Sequence, residues 1–265
     1  MLRLERERLL ALLASLDDVD WVRPTPCPAW DVAGLCRHLL GDDLYVLSLV
    51  RDGHRGTNPP PGLDEAGFIA WIDRLQADWV DASRRVSPRL VVELLGWLGP
   101  HVASAFEQLD LLAVEADVSW ASDRPVPQWL EAARELSEYW IHRQQLLNAL
   151  GQPPDLRADL LGPLLDALRW AYPYRLASID AAPGSTVRID VTGAVERRWW
   201  IARGDRWEFA DDVAGDVIAA ASLDADEAWR LLTNNLPPHA ALDITGAPAI
   251  VAVLRRTRAI IGSPD

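Results

Sequence analysis

The spacing of apolar residues predicts that the first part of the chain is helical. Up to residue 180, apolar side chains recur every three or four positions, which places them on one face of an α-helix. The predicted helices are residues 2–17, 32–52, 64–86, 88–110, about 127–150 and 157–180. Gly96, Gly99 and Pro100 are expected to break the fourth helix, and no strand is expected in this part. Long helices of this kind can pack as a bundle with inward-facing cofactor sites.

The pattern changes after Pro183-Gly184, where short alternating runs predict strands. Two runs within residues 196–210 are separated by Arg-Gly-Asp, which predicts a hairpin. Further strands are predicted at 185–193, 216–222 and 239–246, with helices at 224–235 and 247–260. Helices followed by this mixed module give an α+β protein overall. We therefore expect a helical bundle over residues 1–181 and a small α+β domain over residues 182–265.

Composition and charge narrow the function classes. The 265 residues are 49% hydrophobic and 25% charged, as in an ordinary soluble globular protein. A formal net charge of -13 repels phosphate backbones and anionic lipids, so neither nucleic acid nor a membrane is an expected partner. The N-terminus lacks the apolar core of a signal peptide, which favours a cytoplasmic location. Cys27 and Cys36 are then expected to be reduced and to serve as small, buried apolar residues.

The candidate chemistry lies in three residues on two predicted helices. Glu138 and His142 are four residues apart, so their side chains share one helix face. His38 lies on the apolar side of the 32–52 helix. Two imidazoles and one carboxylate suit zinc and leave an open coordination position, as catalytic metal sites do. Spacing alone leaves two other interpretations open, a hydrogen-bonded surface pair and a core histidine.

Two segments carry a family resemblance. Residues 24–39, PTPCPAWDVAGLCRHL, and residues 126–151, VPQWLEAARELSEYWIHRQQLLNALG, resemble the two signatures of the mycothiol-dependent maleylpyruvate isomerase family. The resemblance implies a DinB-like metal-binding four-helix bundle followed by a sterol-carrier-like C-terminal domain. It also implies a divalent metal, expected to be zinc, on His38, Glu138 and His142. Mycothiol would be the cosubstrate, because a thiol bound to a metal is deprotonated and becomes a nucleophile.

Four further residues are candidates for a pocket or for support of the ligands. Asp42 could orient His38, although such an acidic residue is more often a solvated position on a helix. Trp30 lies in the first of these two segments and Arg143 in the second, directly after His142, where packing and an interhelical ion pair are the ordinary roles. The resemblance implies a functional arginine in the C-terminal module, but AWRLLTNNLP has Asn234-Asn235 at that place. Arg230 could substitute, and the departure leaves maleylpyruvate open as the substrate.

Three function hypotheses follow from these residues. The first is a metal- and mycothiol-dependent transferase or isomerase acting on a small electrophile. The second is a zinc hydrolase, such as an amidase on a thiol conjugate, which would need Asp42, Asp43 or His101 near the metal as a general base. The third is a non-enzymatic protein that binds a small ligand. The partners in the first two are a small-molecule substrate and a low-molecular-weight thiol, with the chain a monomer or a homodimer.

Overall fold

The contacts of the chain divide it into two compact units. A computed structural model describes residues 1–213 and 215–260. One unit comprises Met1–Asp110 and Glu138–Pro154, and the other comprises Leu111–Ser137 and Asp155–Asp265. These units are clusters of contacts along a chain that passes from one to the other three times. The domain limits of 1–181 and 182–265 stay a prediction, and the last five residues of the second range lie outside the described residues.

The first unit is helical, as the apolar spacing predicts. Its helices are α1 (Leu2–Leu13), α2 (Val32–Val46), α3 (Glu65–Ala82), α4 (Pro88–Glu107) and the C-terminal part of α5 (Gln128–Ala149). Side chains cap three of them at the N-terminus, where the first backbone N–H groups have no partner within the helix. Asp31 accepts from the N–H of Gly34 at the start of α2, and α2 continues as a π-helical turn over Leu47–Arg51.

Helix α4 corrects one prediction. It runs through Gly96, Gly99 and Pro100 without a break. A proline inside a helix removes one backbone hydrogen bond, but the fully buried apolar face of α4 offsets that loss. Gly99 has a separate purpose, since a Cβ there would lie 2.7 Å from Cγ of Arg6. The glycine therefore lets the Arg6 side chain of α1 cross α4 at close range.

A second correction concerns strands in the first 180 residues. Residues Val114–Ala116 (β1) and Val126–Pro127 (β2) form a two-stranded antiparallel sheet in the second unit. Strands of two and three residues are too short to show an alternating pattern. The sequence between them is rich in turn-forming residues, but nothing local in it indicates that the two segments pair.

The rest of the second unit is the predicted α+β module with two helices before it. Its strands are β3 (Thr186–Thr192), β4 (Arg197–Arg203), β5 (Trp207–Ala210), β6 (Val217–Asp224) and β7 (Asp243–Gly246). They form one sheet in the order β5-β4-β3-β6-β7, in which only β3 and β6 are parallel. Its helices are α6 (Ala158–Leu168), α7 (Ala171–Leu176), α8 (Ala225–Leu232) and α9 (Pro248–Arg256). The prediction of an α+β fold is confirmed.

The helices also bear on the question of a membrane span. Within the described part of the chain, none is both long enough and apolar enough to cross a bilayer.

Candidate metal centre

Helix α2 supplies the first of three side chains that meet in the first unit. His38 lies seven residues after the Asp31 cap and is 6% exposed. The ring of Trp30, just before that cap, stacks on the His38 imidazole with 4.7 Å between ring centroids and an interplanar angle of 23°. The indole therefore covers one face of the imidazole and limits the rotamers that His38 can adopt.

Helix α5 supplies the other two side chains. Glu138 and His142 lie one turn apart, and the carboxylate oxygen Oε2 of Glu138 is 3.3 Å from Nε2 of His142. His142 is 4% exposed, and Nε2 of His38 lies 3.0 Å from its Nε2. One possible ligand atom from each of the three residues lies within 4.8 Å of the others. The structure thus brings together all three predicted ligands, although their role as ligands stays a proposal.

Two glutamines fix the orientation of the imidazoles. Nδ1 of His38 lies 3.1 Å from Oε1 of Gln76 on α3, and Nδ1 of His142 lies 2.8 Å from Oε1 of Gln145. An amide oxygen only accepts, so each Nδ1 carries the ring proton and donates it. Each Nε2 of the neutral rings is then left with its lone pair, the form in which imidazole binds a metal.

The distance between the two Nε2 atoms shows that the site fits a cation. Two lone pairs that face each other at 3.0 Å repel unless a proton or a cation lies between them. The neighbouring carboxylate of Glu138 adds a negative charge at the same place. Two imidazole nitrogens and one carboxylate oxygen are a donor set that zinc accepts. The side chains therefore fit a divalent metal ion.

Burial and the neighbouring charges shift the two histidines in opposite directions. Burial, together with the nearby imidazole of His142, lowers the pKa of His38 to about 3. Burial also disfavours protonation of His142, but the hydrogen bond and the charge of Glu138 raise its pKa overall. Without a metal, a proton at this site is therefore held by the His142–Glu138 pair.

Asp42 is the one predicted supporting residue whose carboxylate reaches this centre. Its Oδ2 lies 3.2 Å from Nε2 of His38, one turn earlier on α2. Its Oδ1 accepts a hydrogen bond of 3.1 Å from Nε2 of Gln76, whose oxygen accepts from His38. Asp42 is 9% exposed. A carboxylate in this position can orient a ligand or accept a proton beside the metal.

Arg143 and Asp43 belong to a separate group of side chains in the same unit. Arg143 donates from Nη2 to Oε2 of Glu5 at 2.9 Å, as the predicted interhelical ion pair would. Asp43 accepts from both terminal nitrogens of Arg6, at 2.7 and 2.6 Å, and from the hydroxyl of Tyr139. We call Glu5, Arg6, Asp43, Tyr139 and Arg143 the ion-pair cluster. The carboxylate of Asp43 is thereby engaged by Arg6 and Tyr139, whereas that of Asp42 lies beside His38.

The remaining candidates lie elsewhere. His101 is exposed on α4 and forms an edge contact with Trp97, 5.1 Å between centroids. Arg230, in the second unit, forms an ion pair of 2.9 Å with Asp226 and stacks on the ring of Trp229. Both cysteines are buried, as predicted, and burial raises the pKa of Cys27 to about 11 and that of Cys36 to about 12.

Gln76 and Gln145 are the site residues that the sequence analysis missed. Gln145 follows His142 by three residues, so helical spacing could have placed it beside the ring. Gln76 lies on a different helix, and no local pattern in the sequence relates it to His38.

Comparison with known proteins gives the family and the fold. The model of the mycothiol maleylpyruvate isomerase N-terminal domain matches residues 2–147. Uncharacterized proteins from Mycobacterium tuberculosis strains CDC 1551 and H37Rv are each 28% identical over 191 residues, covering 64% of this chain and 74% of theirs. A crystal structure of the mycothiol-dependent maleylpyruvate isomerase aligns with a TM-score of 0.54 at 14% identity, over 92% of this chain and 90% of that one. A histidine-to-alanine mutant of that enzyme aligns equally well at 13% identity.

Proposed function

This chain belongs to the mycothiol maleylpyruvate isomerase family, and we propose that it is a divalent-metal-dependent enzyme that uses mycothiol. It would catalyse a thiol transfer, or a thiol-assisted isomerisation, on a small electrophilic substrate. The observation that carries the proposal is the meeting of His38, Glu138 and His142, whose possible ligand atoms lie within 4.8 Å of one another. Family membership adds the thiol, since mycothiol is named in the description of the matching family.

The three side chains would hold the ion, and zinc suits their donor set. A bound divalent ion lowers the pKa of a thiol at its open position, so that the thiolate forms at neutral pH. His38 and His142 each offer an Nε2 lone pair because Gln76 and Gln145 accept the Nδ1 protons. Trp30 covers one face of His38 and so keeps water from that side of the ring. These are the roles that the chain's own residues can perform around the thiol.

The substrate follows less directly. Where the family resemblance implies an arginine, Asn234 accepts a hydrogen bond of 3.0 Å from Nε of Arg258. Arg230 is held by Asp226 and Trp229. We therefore propose the reaction class without assigning maleylpyruvate to this chain.

One observation favours a second candidate, a zinc hydrolase. The carboxylate of Asp42 lies 3.2 Å from Nε2 of His38, close enough to accept a proton from a nucleophile at the metal. Water would then replace the thiol as the nucleophile, and a thiol conjugate with an amide bond would be the substrate. The two candidates share the metal and differ in what attacks.

Elemental analysis of the protein purified without a chelator or a histidine tag tests the metal. We expect close to one divalent ion per chain, and loss of that ion in His142→Ala. His101→Ala is the matched control, because His101 is an exposed histidine of the same unit outside the centre. An absence of metal in the native protein, even after zinc is added back, would overturn both candidates.

A second measurement separates the thiol from water. Cobalt(II) replaces zinc in the protein, and mycothiol is then added while the ultraviolet charge-transfer absorption of a cobalt–thiolate bond is followed. The transferase or isomerase predicts that this band appears and saturates. The hydrolase predicts no band with free mycothiol, and instead release of amine from a mycothiol conjugate that is lost in Asp42→Asn. His142→Ala should remove either signal.

A further inference from the structure

The second unit contains an aromatic cluster arranged around one arginine. Its members are Arg169, Trp170, Tyr172, Trp199 and Phe209, which we call the Arg169 cluster. The guanidinium carbon of Arg169 lies 4.3 Å from the ring centroid of Phe209 and 5.9 Å from that of Trp199. Trp170 contacts Phe209 at 6.3 Å between centroids, and Tyr172 contacts Trp199 at 6.2 Å. A cation is thus held against the rings of β4 and β5.

The sheet register explains how these residues meet. Trp199 and Ile201 are alternate residues of β4, and Ile201 pairs with Phe209 of β5. Side chains of alternate and of paired residues point to the same face of a sheet. Arg169 is the residue directly after α6, and Tyr172 is the second residue of α7. The end of one helix and the start of the next therefore lie on the apolar face of these two strands.

Three donors in the Arg169 cluster have no acceptor. Nε of Arg169, Nε1 of Trp199 and the hydroxyl of Tyr172 are all buried without a hydrogen-bond partner among the described residues. Within residues 1–213 and 215–260, Arg169 also forms no ion pair with a carboxylate. Trp199 and Tyr172 are 2% and 1% exposed, and a buried donor without a partner costs about 1–3 kcal/mol. The cluster is therefore rich in donors and has no negative charge of its own.

The carboxylate whose charge acts on Arg169 is already engaged by another arginine. Asp166, one turn before Arg169 on α6, accepts from Nε and Nη2 of Arg197 at 3.0 Å each. Burial lowers the pKa of Arg169, and the charge of Arg197 lowers it further against the opposing effect of Asp166. Two arginines and one aspartate leave this part of the unit with one positive charge in excess. An anion from solution would balance it.

We propose that the Arg169 cluster binds a small organic acid, with its carboxylate on the Arg169 guanidinium and a planar apolar body against the neighbouring rings. A guanidinium offers a carboxylate two parallel hydrogen bonds. The ring of Trp170, which also contacts Trp129 at 5.9 Å, extends the aromatic surface for the rest of the ligand. A phosphate or sulfate carries more charge than a single free arginine balances and has no apolar body. The proposal does not rest on the metal centre.

Titration with benzoate, followed by the indole N–H signals in ¹H–¹⁵N spectra, tests the site. The chain has 13 tryptophans, and Trp199→Phe identifies the signal of Trp199 by its loss. We expect benzoate to shift the Trp199 signal in a saturable way. Replacement of the guanidinium by an amide in Arg169→Gln should weaken benzoate binding by about tenfold or more, because a charge-assisted bidentate pair is lost. Benzamide, the neutral analogue of benzoate, should also bind at least about tenfold more weakly.

Arg198→Gln is the matched control, since Arg198 is an exposed arginine of β4 that pairs with Asp190. It should leave benzoate affinity unchanged. If Arg169→Gln fails to fold, Arg169→Lys replaces it and should also weaken benzoate binding, because lysine keeps the charge but loses the two parallel hydrogen bonds. The comparison of benzoate with benzamide needs no variant. Equal binding of benzoate and benzamide, or of benzoate and sulfate, would overturn the proposal. So would the absence of any shift at about 10 mM benzoate, where even a millimolar site is mostly occupied.

Discussion

The metal centre and the ion-pair cluster of the first unit take side chains from neighbouring residues of the same helices, but their charges are arranged differently. Asp42 and Asp43 are adjacent on α2, and His142 and Arg143 are adjacent on α5. Adjacent residues of a helix point about 100° apart. One member of each pair therefore reaches the metal centre, and the other reaches the ion-pair cluster.

The two groups differ in whether their charges balance. The ion-pair cluster joins two arginines to two carboxylates, so its charges balance within the chain. In the metal centre, two imidazole lone pairs face each other beside the carboxylate of Glu138. None of its three residues is an arginine that could balance that charge. The first group is complete as folded, whereas the second fits a cation from solution. Substitutions in the two groups should consequently act on different measurements.

The largest effect is expected in the ion-pair cluster. Arg143→Met leaves the carboxylate of Glu5, which is 0% exposed, without the arginine it pairs with. Breaking a buried pair from one side should lower the free energy of unfolding by about 3–5 kcal/mol, measured by denaturant titration. Arg89→Met is the control, because Arg89 forms an exposed pair with Glu93 and should change stability little. A loss as small as that of Arg89→Met would contradict the comparison.

The next effect concerns stabilisation by zinc. An ion that binds only the folded protein stabilises it by about 2.7 kcal/mol at a concentration of 100 times its dissociation constant. Glu138→Gln should abolish that increment, because a neutral amide replaces a charged ligand. Thermal unfolding with and without zinc measures it, and Glu131→Gln on the same helix, whose carboxylate pairs with Arg134, is the control. Equal zinc stabilisation of Glu138→Gln and the wild type would remove Glu138 from the ligand set.

A smaller effect is expected from the residue that orients His38. Gln76→Leu removes the acceptor of the Nδ1 proton and the donor to Asp42. Zinc affinity, measured by competition with a chelator, should fall by about 10–100-fold. Gln152→Leu, an exposed glutamine just after α5, should not change it. An unchanged affinity in Gln76→Leu would contradict a role of Gln76 in orienting the His38 ring.

The smallest effect is a pH dependence of zinc binding. His142 has a raised pKa, so zinc must displace its proton at lower pH, and affinity should rise about tenfold per pH unit until that pKa is passed. His38, with a pKa of about 3, is neutral over this range. The free energy of unfolding of the metal-free protein should change with pH in the opposite direction. The raised pKa of His142 stabilises the fold below the unfolded value of 6.5, and this stabilisation is lost as pH rises through the folded pKa. If zinc affinity and the stability of the metal-free protein both rose with pH, the raised pKa of His142 would be contradicted.

The sequence predicts the elements of this chain better than their contacts. Helical spacing places Glu138 and His142 on one face and His38 on the apolar side of another helix, and the family resemblance implies that all three are metal ligands. Gln76 could not be found, because its contact with His38 joins residues 38 positions apart on different helices. The predicted break at Gly99 and Pro100 is wrong for a related reason, since local propensity favours a break while the buried face of α4 favours a continuous helix. Local patterns predict local structure, and long-range packing decides the rest.

The long sequence separation within both polar groups has a consequence for synthesis of the chain. His38 and His142 are 104 residues apart, and Glu5 and Arg143 are 138 apart. At about 5–20 residues per second, a ribosome needs about 5–20 s to proceed from the first histidine to the second. A nascent chain that ends before residue 138 contains His38 without the two other proposed ligands, and Glu5 without Arg143. Synthesis of His142 and Arg143 therefore completes the proposed metal centre and the ion-pair cluster within one residue of each other, more than 100 residues after His38.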